Sequence, residues 1–299
     1  MLAVLLTACI TVNSQEVSVV WLNETAKVTV SDDIQPLLTV KVSGADVTID
    51  QNESVAQEIT YHLSGKSDNG SFTHTGSFKI TLSLEGLQLT SQTGSAMQVK
   101  NGKRIAVVLK DGTENMLTDL EGGDQKACLI VKGHSEFQGG GTLTVNARGR
   151  HGIKVKEYVE MKSGTLNITT TGGGYWDAED LETKAAACIK TDENVIVGGG
   201  TLNLLSTGDG GKGINCDENV DMYGGTLTVT TTGSNNIGKP KGVKSSTGII
   251  VRGGSFTVKV SKSWACDNGT DSDDPAQRVT IVGSPTTTTL SKRSVIIKY

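Results

Sequence analysis

The sequence predicts an all-β protein: a right-handed, single-stranded parallel β-helix with three short strands in every coil. Three observations carry that expectation. First, a glycine-bounded unit recurs at residues 139–145 (GGGTLTV), 163–168, 199–204, 224–229 and 253–258, at spacings of 23, 36, 25 and 29 residues, the interval of a solenoid. Second, eleven residues before the second glycine of each copy stands a branched apolar residue: Ile130, Ile153, Ile189, Ile214 and Val243. Third, a run with apolar residues at alternate positions lies between these two units, as Val159/Met161, Val195/Val197, Val220/Met222 and Ile249/Val251. Alternation within each piece buries one side of a strand and solvates the other. The glycine pairs supply the backbone freedom for the bend between one strand and the next.

Composition agrees. The chain has 37 Gly and only 4 Pro in 299 residues, and no window has the 3.6-residue apolar spacing of a helix. Two domains would be the ordinary expectation at this length, but a solenoid grows by adding coils. The net charge of −4 argues against a nucleic-acid partner, which would want a basic surface.

Taken in order, residues 1–9 are apolar and end in Leu6-Thr7-Ala8-Cys9. This ending resembles a bacterial lipobox, so these residues read as a lipoprotein signal remnant with Cys9 as the lipidated residue. That implies an exported protein at the cell surface or outer membrane, meeting the membrane only through a lipid on Cys9. No stretch reaches the 18 apolar residues of a membrane-crossing helix. Residues 10–75 hold alternating runs without the Gly-Thr-Leu unit and read as an N-terminal β cap grading into irregular coils, since a solenoid must cover its open ends. Residues 76–299 read as the β-helix, with 294–299 closing its C-terminal end. Two loops interrupt the repeat, 172–183 and 264–274, and such insertions are where solenoids place function.

Cys128, Cys188, Cys216 and Cys266 have no zinc spacing. Counted in the repeat, Cys128 falls one place before Cys188. Buried free thiols between coils are one reading, and one disulfide in an exported protein is another. His62, His74, His134 and His151 share no register position and no acidic companion, so a histidine triad is not expected.

Candidate chemistry follows from stacking. Residues at one register position form a ladder about 4.8 Å apart. Lys154, Lys190 and Lys244 form such a ladder, interrupted by Asn215, and two positions later come Lys156, Asp192, Asp217 and Ser246. Two carboxylates at that spacing repel by roughly 1 kcal/mol in water. Asp192 and Asp217 therefore favour either a bound Ca2+, with Asp209 and Asp267 as further candidate ligands, or ordinary salt bridges to the lysines. Tyr175, Trp176 and Trp264, in the two loops, could stack on sugar rings. A carbohydrate site would then combine them with the lysine ladder. Asp192, Asp217 and Lys190 could also serve β-elimination of an acidic polysaccharide with Lys190 or Lys154 as base. Arginines to neutralise a uronate are scarce along the ladder, since Arg148 and Arg150 sit in one corner and Arg252 in another.

The repeat Gly-Ile-Lys-x-x-Asp/Glu-x-Val-x-Met/Ile-x-Gly-Gly-Thr-Leu, carried by residues 152–166, 188–202, 213–227 and 242–256, resembles the bacterial carbohydrate-binding domain-containing proteins. Segments 57–61 (QEITY) and 122–128 (GGDQKAC) look like the Bacteroidetes members, which are often lipoproteins. The resemblance implies a pectate-lyase-like β-helix without catalysis, outside the cell, that binds an acidic plant cell-wall polysaccharide such as polygalacturonate. It also implies calcium at Asp192 and Asp217, where the acidic motif position is kept. Lys156 and Ser246 replace that acid in two coils, and Asn215 replaces the motif lysine. A lyase and a structural or adhesive solenoid are the alternatives.

Overall fold

The threonine-rich strands stack in register, coil upon coil. Thr142 pairs with Thr165, Thr165 with Thr201, Thr201 with Thr226, and Thr226 with Ser255, all in parallel. The computed structural model describes residues 15–178 and 181–299, so Cys9 and the signal remnant lie outside the described residues. Among the described residues strands dominate, the two helical segments being the short 3-10 turns Gln35–Leu37 and Pro275–Arg278. The expected parallel β-helix is the fold.

Three faces run along it. The first holds parallel strands from Ala45–Gln51 through Gly70–Thr75, Met97–Lys100, Ala127–Val131, His151–Val155, Ala187–Thr191, Lys212–Cys216 and Lys241–Lys244 to Trp264–Asp267. The second carries short strands such as Val159–Met161, Val195–Val197, Asn219–Met222 and Gly248–Val251. The third carries the Gly-Thr-Leu strands, Thr142–Ala147 to Ser255–Val260. In the early coils the second and third faces merge in one strand, Ile80–Thr90, whose halves pair with Ile105–Leu109 and Glu114–Thr118.

The core follows from the alternation. Leu143, Leu166, Leu202, Leu227 and Phe256 form one inward column, and Val145, Ile168, Leu204, Val229 and Val258 the next, all buried. Each such side chain contributes roughly 1.5–3 kcal/mol by leaving water. The corners require glycine. Gly225 has φ +72, and a Cβ there would lie 2.6 Å from backbone atoms of Gly199 and Gly200 one coil below.

The first repeat copy departs from the eleven-residue count. Leu129, not Ile130, pairs with Ile153, and Ile130 pairs with Lys154. Phe137 pairs with Met161 while Thr142 pairs with Thr165, so the triple-glycine corner holds one residue more than its neighbour. As a consequence Cys128 shares its inward column with Gly152 and Cys188 rather than falling one place before Cys188. The two thiols stand two rungs apart, about 9.6 Å by ladder spacing, too far for a disulfide. Cys128, Cys188, Cys216 and Cys266 are all buried and free.

Antiparallel strands cover both ends. Glu16–Leu22 pairs in parallel with Ile59–Ser67 but antiparallel with Ala26–Val30, and Leu38–Ser43 runs antiparallel to Ala45–Gln51. Parallel stacking therefore begins within residues 10–75, behind a short antiparallel cap. Trp21 seals this end, donating from Nε1 to the Ala45 carbonyl at 2.8 Å and meeting Phe72 edge-on. At the other end Ser294–Lys298 lies antiparallel to Ser255–Val260 and to Thr287–Ser291. Such capping covers the apolar end of the stack and shields the last parallel strands of the larger sheet from another chain.

Two imidazoles are buried in this stack. His74 has no partner for either ring nitrogen and packs edge-on against Tyr61 at 5.1 Å. Burial pushes its pKa down to about 4, against a smaller opposing pull from Asp50. His151 is pushed down to about 3 by burial and by Lys154, Lys190, Lys212 and Arg150. The unfolded chain takes up protons near pH 6.5 that these folded rings refuse, so stability falls as pH drops from about 6.5 towards about 4. For His74 the full effect is on the order of 3 kcal/mol. Urea unfolding midpoints measured from pH 7 to pH 4.5 should fall less steeply for His74→Leu than for the wild type; parallel curves would refute this account.

Candidate functional site

Two rows of outward residues on the first face build the site. One row runs Ile130, Lys154, Lys190, Asn215, Lys244, Asp267 on successive rungs. The ladder read from the sequence is therefore real, and it ends in an acid one rung beyond Lys244. The second row runs Ala187, Lys212, Lys241, Trp264. It was hidden from the alternation rule. Lys212 and the buried Ile214 are two residues apart and should share a side, but Gly213 between them is buried as well. A Cβ on Gly213 would lie 2.1 Å from Val229 Cγ1, so the strand bends inward there and frees Lys212 to turn out.

The 172–183 insertion forms an antiparallel hairpin, Gly174–Asp177 against Glu182–Ala185, standing beside these rows. Hairpin and rows enclose a cleft of about 510 Å³. Among the described residues, seven cationic side chains line it (Lys126, Arg150, Lys154, Lys184, Lys190, Lys212 and Lys244) against four carboxylates (Asp177, Glu182, Asp192 and Asp217). The Arg150 guanidinium lies 4.4 Å over the Tyr175 ring, a cation–π contact that orients it. Lys184 pairs with Asp177 at 3.0 Å.

Lys190 resolves the repulsion between the two ladder carboxylates. Its Nζ donates to both oxygens of Asp217 at 2.7 Å and to the Thr191 carbonyl at 3.0 Å, and stands 3.8 Å from Asp192. Burial, then Lys244, Lys241 and Lys190, push the pKa of Lys212 down to about 8, against a smaller opposing pull from Glu182. Burial also lowers Lys154, with Asp192 pulling the other way.

The other expected site residues disperse. Asp209 lies at a different corner, accepting from the Ser234 amide at 2.9 Å and from Asn236 Nδ2 at 3.3 Å. Asp267 is buried and held by Lys241 and by Arg278 Nη1. Thus Asp192 and Asp217 share the cleft, whereas Asp209 and Asp267 do not join them. Among the described residues no group of three or more His, Cys, Asp or Glu is placed to hold a metal ion. Asp192 and Asp217 are both engaged by Lys190, with which a Ca2+ there would compete.

Tyr175 lines the cleft beneath Arg150, while Trp176, beside it, is 63 % exposed and points away from the lining. Trp264 belongs to a second depression, and its ring is occupied by Arg278 at 3.8 Å and Lys292 at 4.6 Å. It anchors cations there instead of offering a free stacking face. Two histidines do find acids, His62 with Glu85 at 2.6 Å and His134 with Glu157 at 3.0 Å, but both pairs lie outside the cleft. The sequence reading missed Lys126, Arg150, Lys184 and Lys212. The available signal was the repeated Lys-Gly before the apolar marker, at Lys212-Gly213-Ile214 and Lys241-Gly242-Val243.

Fold and cleft define a parallel β-helix protein that presents a cation-rich surface groove. Residues 43–288 match the family described as carbohydrate-binding domain-containing protein, and the chain belongs to that family. A carbohydrate-binding domain-containing protein of Acetivibrio thermocellus is 26% identical over 99 residues, covering 30% of this chain and 35% of that protein. This alignment spans about a third of that relative. The solved structure of a polysaccharide lyase-like protein from C. thermocellum, a gadolinium derivative, superposes with a TM-score of 0.63 at 20% identity, over 90% of this chain and 95% of that one. That likeness bears on the fold.

Burial and its lysine neighbours make Lys212 more easily deprotonated near neutrality than an ordinary exposed lysine. Competitive acylation followed by peptide mapping should show Lys212 gaining reactivity through pH 8, well before the exposed lysines. A reactivity profile no different from theirs would overturn this assignment.

Proposed function

We propose that the cleft binds an anionic polysaccharide of the polyuronate class, polygalacturonate being the obvious example. The observation that carries this reading is the surplus of cations: among the described residues, seven against four carboxylates in one cleft, on a chain whose net charge is −4. Family membership supports a carbohydrate ligand. The charge supports an acidic one, because Arg and Lys bind carboxylates through charge-assisted hydrogen bonds. Arg150, held flat on Tyr175, suits a two-pronged contact with a carboxylate. Lys154, Lys212 and Lys244, on the first, third and fourth of four successive coils, suit carboxylates repeated along a chain. An exported, surface-anchored location belongs to the same reading, resting on the lipobox-like residues 6–9. The binding proposed needs no calcium, since Lys190 already engages Asp192 and Asp217, the two carboxylates expected to hold it.

Calorimetry against polygalacturonate and a neutral glucan, at low and high salt and with and without chelator, tests this. Polygalacturonate should bind more tightly than the glucan, more weakly in high salt, and equally with chelator. Arg150→Ala and Lys244→Ala should each weaken binding about tenfold, or about 1.4 kcal/mol. Equal affinity for the neutral polymer, or none for either, would remove the proposal.

One observation favours a lyase as the second reading. Lys212, its pKa pushed down to about 8, carries more neutral amine at mild alkaline pH than an ordinary lysine, whereas Lys190 is held by Asp217. In β-elimination its neutral amine would take the C5 proton of a uronate, the released electron pair would form the C4–C5 double bond, and the glycosidic oxygen on C4 would leave and be protonated. The ultraviolet absorbance of the unsaturated product should then grow faster as pH rises through 8, and Lys212→Met should abolish it. A flat trace across that range leaves binding alone.

A further inference from the structure

The cleft does not end the cationic surface. A second depression of about 690 Å³ lies at the C-terminal end of the same face. Its floor is the last first-face strand, Trp264–Asp267. One wall is Lys292–Arg293, the turn of the closing hairpin, pinned where the Ala265 amide donates to the Lys292 carbonyl at 2.7 Å and the Val260 amide to the Arg293 carbonyl at 3.0 Å. The opposite wall is the loop after Asp267, tied back by Arg278 to the Ser272 carbonyl at 2.7 Å. Six cationic side chains line this depression against three carboxylates. Asp267 is already committed to Lys241 and Arg278, which leaves Lys262, Lys292 and Arg293 among the cations available to a ligand.

The two depressions meet at a single strand. Lys241–Lys244 contributes Lys244 to the first and Lys241 to the second. Lys212, Lys241 and Trp264 are consecutive members of one row, as Lys154, Lys190, Asn215, Lys244 and Asp267 are of the other. From Lys154 to Asp267 is four rungs, about 19 Å along the helix axis. Cationic side chains accompany the whole length, and the hairpin at one end and the closing turn at the other bound it.

We infer that the two depressions are one continuous track running along the helix axis, and that its ligand is a polyanionic chain long enough to lie in both. This rests on the polyuronate reading and adds to it a direction, a minimum length and a second subsite around Trp264. Lys262 and Arg293, both exposed, contact only the part of the chain that extends past Lys244.

Oligogalacturonates of increasing length, titrated into the wild type and into Lys262→Ala/Arg293→Ala, test the inference. In the wild type, affinity should rise about tenfold once the oligomer outgrows the first cleft. In the variant that rise should vanish while the affinity for the shortest binding oligomers is unchanged, with the thermal midpoint confirming the fold. A variant with the wild-type length dependence would overturn the track and leave the single-cleft reading intact. Absence of binding for every oligomer in the wild type would instead remove the polyuronate reading, and the track with it.

Discussion

Parallel stacking in strict register is the constraint on which everything else depends. Each rung sits about 4.8 Å above the last, so whatever a coil places at one position is repeated or answered at that distance by the next. Inside, this turns leucines and valines into columns that bury one another. Outside, it turns single charges into rows. Glycine corners such as Gly225 exist because a coil laid so closely on its neighbour leaves no room for a Cβ.

The same constraint creates the electrostatic problem from which the site is made. Like charges on successive rungs repel, and the chain answers in two ways. Lys190 is drawn between Asp192 and Asp217, where it is spent on structure. Lys212, half-buried and flanked by Lys241 and Lys244 with only a smaller opposing pull from Glu182, loses its proton more readily. A groove with such unsatisfied cations is complementary to a ligand that brings its own carboxylates at regular intervals. Asp267 at the far end, by contrast, is consumed within the fold by Lys241 and Arg278.

The insertions give the rows their walls. The 174–185 hairpin brings Tyr175 and, upon it, Arg150 to the mouth of the first cleft, and the closing turn brings Lys292 and Arg293 to the second. Neither wall belongs to the repeat. The repeat supplies a flat, regular floor, and the places where its interval breaks convert that floor into a groove.

The sequence by itself determined the coil, the three faces and the Lys154/Lys190/Lys244 row, because a solenoid is built from near-neighbour stacking and a repeat read along the chain maps directly onto space. It missed by one residue at Ile130, where an extra glycine in the corner shifts the count, and that slip moved Cys128 out of the column it shares with Cys188. Only the tertiary structure decided which charges are free. Whether Lys190 meets Asp217, whether Asp209 approaches Asp192, and whether Arg150 reaches the lysine rows depend on side-chain directions at bends, where period-two alternation fails, as at Gly213. They also depend on loops that fold back from the repeat, and the register along the chain carries no information about either.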